Sequence, residues 1–167
     1  MNNNLKTETN DNLNIKYITL FAISFLVLGF FSAVLAGDTS LYGELVRPPL
    51  SPPPIVFGIV WSILYVIIGG VTGAVYSFDG EYDPKDRENA LWFMCLGFVF
   101  NLLWSPLYFG KGQLLAALID IAVMFVLTLE AYKNINRIKK LYAYLLIPYL
   151  VWLLFAFYLN LGTIILN

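Results

Sequence analysis

The sequence contains no histidine and only one cysteine, and these shortages exclude several kinds of chemistry. Catalytic triads built on histidine and metal sites ligated by histidine need a side chain that this chain does not have. Cys95 has no second cysteine with which to form an intramolecular disulfide, and it lies in an apolar run. Free cysteines usually behave as small hydrophobes, so we expect Cys95 to be buried and inert. Haem ligation by its thiolate is the weaker alternative.

Charged side chains are also scarce, at 13% of 167 residues, which is about half of what a soluble domain carries. Hydrophobic residues make up 59% of the chain, and the mean hydropathy is +0.73. This composition predicts an integral membrane protein of one domain, with the lipid bilayer as its surroundings. The net charge is -1, and no basic cluster is interleaved with aromatic residues, so nucleic acid is not expected as a partner.

Five apolar stretches are each long enough to cross a hydrocarbon layer about 30 Å thick at about 1.5 Å per residue. We predict an all-α bundle of five transmembrane helices with spans at about 17–36, 55–77, 90–109, 113–132 and 141–166. Residues 1–16 are polar and rich in Asn, which predicts a disordered leader before a membrane domain at 17–167. A cleavable signal peptide ending near Ala36 is the alternative for the first stretch, although the long leader argues against it. The longer connections are expected to be loops, at 38–54, 79–89 and 133–140.

The connection between the first two spans holds five prolines within Pro48–Pro54, a segment called the collar below. Proline fixes φ, donates no backbone hydrogen bond and favours an extended preceding residue, so the collar should be stiff and non-helical. Phe57, Trp61 and Tyr65 follow at spacings of four and share one helix face. This arrangement suits the mouth of a binding cavity. It equally suits a proline-marked helix start whose aromatic residues fill a core.

Positive charges are distributed unevenly between the two predicted sides of the membrane. Only Arg47 and Lys111 fall on the side of the collar. Eight residues fall on the other side: Lys6, Lys16, Lys85, Arg87, Lys133, Arg137, Lys139 and Lys140. Because cytoplasmic connections carry the excess of positive charge, we predict a cytoplasmic N-terminus, with the collar and the C-terminus outside.

Polar and aromatic residues from four predicted helices lie at similar depths in the half of the bundle next to the collar. Their depths are roughly 9 to 21 Å, at about 1.5 Å per residue. They are Trp61, Asn101, Asp120, Trp152 and Ala156. Stripes at spacings of three and four add further members: Phe93, Gly97, Phe100, Trp104, Tyr149 and Asn160. The convergence predicts a pocket, although Trp and Tyr also serve as interfacial anchors, the role expected for Trp92.

Asp120 is the one acidic residue deep in a span. An ionised carboxylate at that depth costs about 2.5–3.5 kcal/mol or more, so the side chain should face the bundle interior. It belongs either to the pocket or a proton path, or to a structural hydrogen bond with an indole N–H or with Asn101. A separate pattern lies in the second span, where Gly69 and Gly73, and likewise Gly70 and Ala74, form spacings that permit close helix packing. Whether this packing lies within one chain or between two copies is open.

Three stretches occur in the order typical of one family. They are the segment Arg47–Gly70, with the pattern P-x-L-S-P-P-x-x-x-F-x-x-V-W-x-x-L-Y-x-x-x-G, then Asn101–Gly110 and Pro148–Asn160. Asp120 lies between the last two at the expected distance. In these stretches the chain resembles the tryptophan-rich sensory protein / translocator protein family, also called the peripheral benzodiazepine receptor family, over roughly residues 17–167.

This resemblance implies a five-helix bundle, usually a homodimer, with a cavity under the first loop that binds porphyrins or isoquinoline- and benzodiazepine-type ligands. It implies a receptor or sensor with no required cofactor, for which porphyrin or haem is a possible ligand. Together with the helix stripes, it gives these candidate ligand-binding residues: Pro52, Pro53, Phe57, Trp61, Tyr65, Phe100, Asn101, Trp104, Asp120, Tyr149, Trp152 and Ala156.

Two other functions remain as alternatives, a light-dependent porphyrin-degrading enzyme and a carrier of porphyrins or sterols. No nucleophile–base pair is visible, which argues against ordinary acid–base catalysis, and no internal repeat or broken helix is visible, which argues against active transport. Three positions depart from the family pattern, because Leu41, Leu50 and Ile55 stand where relatives often carry aromatic residues. The C-terminal sterol motif is also missing, since no basic residue follows Lys140.

Overall fold

The computed structural model describes residues 14–37 and 40–167, and of Leu41 and Tyr42 it describes only the backbone. Most of the predicted disordered leader therefore lies outside the described residues. Its last part does not fit the prediction, because the first helix already begins at Ile15. Asn14 precedes that helix as its N-terminal flanking residue.

Helices make up most of the described chain, and no β-strand occurs within the ranges that the structure describes. In chain order they are α1 (Ile15–Leu35), α2 (Ser40–Glu44), α3 (Pro54–Tyr76), α4 (Pro84–Ser105), a π-helical turn (Pro106–Gly110), α5 (Leu114–Ile138), α6 (Lys140–Tyr144) and α7 (Ile147–Leu166). Five segments are long and apolar enough to cross a membrane: α1, α3, α4 with its π-helical turn, α5, and α6 with α7. The predicted five-helix membrane bundle is confirmed.

Two helices extend further into the polar connections than predicted. α4 begins at Pro84, where the Asp83 carboxylate accepts a hydrogen bond from the backbone N–H of Lys85 at 2.9 Å. α5 continues to Ile138, so most of the predicted basic connector is helical. An ion pair between Arg137 and Asp86, at 2.8 Å, joins these two extensions. Hydropathy marks the part of a helix that meets hydrocarbon, whereas the backbone hydrogen bonding continues into the polar ends.

Two further expectations about the spans and loops were wrong. The predicted loop at 38–54 contains the short helix α2. The last span is not one continuous helix, because Leu145 and Leu146 separate α6 from α7 just before Pro148. The expected lack of a broken helix therefore no longer argues against a carrier. The third span ends at Gly110, close to the predicted end, and its last five residues form a π-helical turn that begins at Pro106. Pro106 has no N–H for the carbonyl of Leu102, and that carbonyl instead accepts a hydrogen bond from the Ser32 hydroxyl of α1 at 2.6 Å.

The helices pack as two close antiparallel pairs, α1 with α3 and α4 with α5, and α7 packs on α5. Glycines bring α1 and α3 together at one end. A Cβ at Gly69 would lie 2.6 Å from the carbonyl oxygen of Phe21, and one at Gly73 would lie 2.5 Å from that of Tyr17. Gly69 and Gly73 of the second span therefore pack within the chain, against the backbone of α1.

Cys95 is exposed, contrary to the prediction of a buried thiol. It shares an exposed face of α4 with Trp92 and Val99, which are 63% and 52% exposed. In a protein surrounded by lipid the outer face of a helix is apolar as well, so an apolar run does not indicate burial.

Candidate functional site

The collar forms a fixed turn ahead of α3, as its prolines predict. Pro48 accepts hydrogen bonds at its carbonyl from the backbone N–H of Ser51, at 3.3 Å, and from the Ser51 hydroxyl, at 2.7 Å. Leu50 completes this turn with a φ of 67°, an uncommon conformation for a residue with a Cβ. Helix starts only at Pro54, so the preceding collar residues are non-helical.

The collar is held against α7. The side-chain amide of Asn167 accepts from the backbone N–H of Val46 at 3.0 Å and donates to the carbonyl of the same residue at 2.9 Å. The Tyr158 hydroxyl donates to the carbonyl of Pro49 at 3.0 Å. Pro48 is buried so closely against Gly162 that a Cβ there would lie 2.6 Å from the Pro48 Cβ. These contacts hold both sides of Arg47 in place.

A cavity of about 1130 Å³ lies between α1, the segment before the collar, α3 and the end of α4. At the Gly69 end α1 and α3 touch backbone to backbone, and near the collar they enclose this space. The cavity is lined by Leu26, Val27, Gly29, Phe30, Ala33, Ser40, Gly43, Arg47, Pro54, Phe57, Gly58, Trp61, Ser62, Tyr65, Trp104, Ser105 and Phe109. Its inner wall is buried, whereas Val27 and Phe30 at its rim are 44% and 67% exposed.

Aromatic side chains form the inner wall. The ring of Trp61 stacks on that of Tyr65 with centroids 5.6 Å apart, and it lies 5.9 Å from the ring of Trp104. Phe57, one turn before Trp61, is also buried and lines the same space. Gly29 of α1 leaves room for the Tyr65 ring, because an added Cβ would lie 2.6 Å from its Cζ. Four of the predicted site residues are thus brought together at one cavity.

The buried indoles of the wall carry unused hydrogen-bond donors. Within the described residues, the Nε1 atoms of Trp61, Trp104 and Trp152 are buried and have no hydrogen-bond partner. Trp61 and Trp104, which line the cavity, are only 9% and 5% exposed. Both nitrogen atoms are covered, so a ligand acceptor reaches them only if a ring rotates. An acceptor that did so would remove the cost of an unpaired donor in an apolar interior.

A buried hydrogen-bonded chain runs from the cavity wall into the bundle. Tyr65 donates through its hydroxyl to Asn101 Oδ1 at 2.8 Å, and Asn101 Nδ2 donates to the Tyr149 hydroxyl at 3.1 Å. Tyr149 in turn donates to Met124 Sδ at 3.8 Å. Asn101 and Tyr149 do not line the cavity, but they fix the position of Tyr65, which does.

Asp120 is buried away from the large cavity. Neither of the structural partners expected for it is present, because Asn101 is bonded to the two tyrosines and the three buried indoles have no partner among the described residues. Its Oδ2 atom is buried without a hydrogen-bond partner in the same part of the chain. A ligand-binding role for Asp120 stays a prediction.

The remaining predicted residues lie around the cavity rather than on it. Trp152 packs against Trp61 and Phe57, with centroids 6.3 and 5.9 Å away, and lines a separate groove of about 410 Å³ between α3 and α7. Ala156 lines a space of about 10 Å³ beside Trp104. Pro53 borders a depression on the collar, and neither Pro52 nor Phe100 lines any of these spaces.

Sequence reasoning missed the wall that α1 contributes and the charged residue at the mouth. α1 is apolar on all sides, so no periodic pattern marks Gly29 or Phe30 as facing a cavity. Arg47 carried a usable signal, since it is the only cation in the connection between the first two spans. Of the described residues that line the cavity, Arg47 alone is charged. The site therefore has apolar walls, unpaired indole N–H groups and one cation, and these groups can bind a ligand.

Comparison with known proteins agrees with this architecture. A family model described as the TspO/MBR family matches residues 19–166. The chain is 31% identical over 157 residues to the "Tryptophan-rich protein TspO" of Archaeoglobus fulgidus, covering 93% of this chain and 99% of that protein. It is 30% identical over 142 residues to the protein of the same name from Bacillus cereus, covering 83% and 90% of the two chains. The "Translocator protein" of Bos taurus is 29% identical over 119 residues, with 71% and 70% covered.

Proposed function

Because the chain belongs to the TspO/MBR family of multi-pass membrane proteins, we propose that it is a membrane receptor or sensor that binds porphyrins or related hydrophobic ligands in the cavity under the collar. The observation that carries the proposal is the large aromatic cavity with two buried, unpartnered indole N–H groups. Its volume of about 1130 Å³ slightly exceeds the range of about 300–1,000 Å³ usual for drug-sized ligands, which favours a large ligand. Flat aromatic walls favour a planar one.

Binding fits the cavity better than catalysis does. The hydroxyl groups among its described lining residues belong to Ser40, Ser62, Tyr65 and Ser105. None of the described lining residues is a carboxylate, lysine or histidine that could act as a base for them. A guanidinium offers hydrogen-bond donors and no acceptor, so Arg47 is not a general base. The chain by itself therefore supports a receptor for porphyrin rather than an enzyme that consumes it in the dark.

Titration of the purified protein in nonionic detergent should show saturable binding of protoporphyrin at one site per chain. In darkness the Soret absorbance of the bound porphyrin should then stay constant. Under illumination with oxygen we expect at most a slow loss, because excited porphyrin generates reactive oxygen that attacks both pigment and protein. Repeated turnover of porphyrin in the dark would instead establish an enzyme.

We further propose that the N-terminus is cytoplasmic and that the collar end lies outside, on the basis of the eight-to-two distribution of positive charges. Reporter fusions at Asn2, Lys139 and Asn167 test this. The first two should report a cytoplasmic position and the third an external one. A cytoplasmic position for Asn167 would contradict the proposed orientation and place the cavity mouth on the other side. Homodimer formation, which the resemblance implies, is proposed on that ground alone.

A further inference from the structure

We propose that the cavity selects amphipathic anions, with Arg47 at its mouth binding the acidic group while the aromatic wall holds the apolar body. This inference rests on the proposed function and narrows its ligand class. It predicts that an organic acid with a large planar apolar part binds better than its neutral ester.

The polar groups of the cavity favour an acceptor-bearing ligand. The indole nitrogens of Trp61 and Trp104 can only donate hydrogen bonds, and both are buried without a partner among the described residues. The hydroxyl hydrogens of Tyr65 and Ser62 are already used, in bonds to Asn101 Oδ1 at 2.8 Å and to the Gly58 carbonyl at 2.8 Å. The described lining thus has two unpaired indole donors and no charged acceptor. A ligand with a carboxylate complements this set.

Arg47 is held at the mouth by its neighbours in the chain. Val46 is bonded at both its N–H and its carbonyl to the Asn167 side chain, and Pro48 is buried against Gly162. The backbone of Arg47 is therefore held in place, and the residue borders the cavity, the small space beside Trp104 and the depression on the collar. An arginine whose backbone is already held loses less conformational freedom on binding than one on a free loop.

A guanidinium is well matched to a carboxylate, because its planar set of N–H donors can bind both oxygens. The apolar walls strengthen that attraction relative to a fully hydrated pair, since the effective dielectric constant is lower beside them. The phosphate of a lipid headgroup is also an anion, and long basic side chains at membrane boundaries bind such headgroups. Arg47 could therefore bind either a ligand carboxylate or a lipid phosphate. Detergent micelles free of phospholipid separate the two sources.

The test uses the full chain in nonionic detergent and two pairs of probes. One pair is protoporphyrin and its dimethyl ester, and the other is pyrenebutyric acid and its methyl ester. The wild-type protein should bind each acid about 3- to 10-fold more tightly than its ester. Arg47→Gln should reduce this preference to about that of a neutral site, with little effect on ester binding, and Arg47→Lys should restore part of it.

Lys111→Gln is the matched control. It removes the same charge at the same end of the bundle, from an exposed residue that lines none of the spaces described above, and should leave the preference unchanged. Equal weakening of acid and ester by Arg47→Gln, or an unchanged preference, would overturn the inference and leave the porphyrin proposal standing. If Arg47 binds only lipid headgroups, Arg47→Gln should leave the acid preference unchanged in micelles free of phospholipid. If neither porphyrin bound but pyrenebutyric acid still bound better than its ester in an Arg47-dependent way, porphyrin would be rejected as the ligand and the anion site would stand. If none of the four probes bound, both proposals would be rejected.

Discussion

Replacing Trp61 by leucine should weaken protoporphyrin binding about 10- to 100-fold. Trp61 lines the cavity, is 9% exposed and contacts Tyr65, Trp104 and Trp152 with ring centroids within 6.3 Å. The loss of one aromatic stacking contact with a planar ring system costs about 1–3 kcal/mol, and about 1.4 kcal/mol corresponds to tenfold in affinity. Leucine keeps the site apolar but provides neither a stacking face nor an N–H donor. The measurement is a titration followed by the Soret absorbance.

Trp92→Leu is the control for this experiment. Trp92 is 63% exposed on α4 and lines none of the spaces described here, so its removal should leave the affinity nearly unchanged. The thermal stability of both variants is measured without ligand, which separates a lost contact from a damaged fold. If the two variants lost affinity equally, the cavity would not be the binding site.

Replacing Gly73 by valine should separate α1 from α3 and abolish most of the binding together with part of the stability. A Cβ at this position meets backbone atoms of α1, the carbonyl oxygen of Tyr17 at 2.5 Å and the Cα of Ile18 at 2.8 Å. Neither atom can move without moving the helix. Overpacking of this kind costs about 1–3 kcal/mol or more, and displacement of α1 also removes the cavity wall that carries Gly29 and Phe30.

Gly70→Val is the control for Gly73→Val, because it introduces the same residue at a neighbouring position that has room for a side chain. Gly70 lies in the same turns of the same helix, but a Cβ there would lie no closer than 3.7 Å to the Ile18 side chain, an ordinary contact. The intrinsic penalty of valine in a helix is common to both variants. Detergent thermal denaturation and protoporphyrin titration should therefore show a large loss for Gly73→Val and a small one for Gly70→Val. Similar losses would show that close packing of α1 on α3 is not what shapes the site.

The number of spans and the non-helical collar could be predicted from the sequence, because hydrocarbon thickness and proline geometry constrain each of them locally. Trp61 and Tyr65 could likewise be placed on one face, since helical spacing fixes it. The helix ends were less predictable. α5 continues through the basic residues up to Ile138, because backbone bonding does not stop where hydropathy falls.

The composition of the cavity wall could not be predicted in the same way. Asn101 and Tyr149 share the depth and the faces of the cavity residues, yet their hydrogen bonds to each other turn them into support for Tyr65. Depth along a helix does not tell which neighbour a polar group will meet. The contribution of α1 was hidden because its apolar residues surround the helix. The role of Gly73 became clear only when the partner of α3 was known to be α1.

A structure of the protein with protoporphyrin bound would show the binding site directly. We expect the macrocycle between α1 and α3, against Trp61 and Trp104, with an acidic group directed toward Arg47. The groove between α3 and α7, lined by Val60, Trp152 and Phe155, is the rival position. A porphyrin found in that groove, or on the outer surface with the cavity empty, would contradict binding in the cavity under the collar.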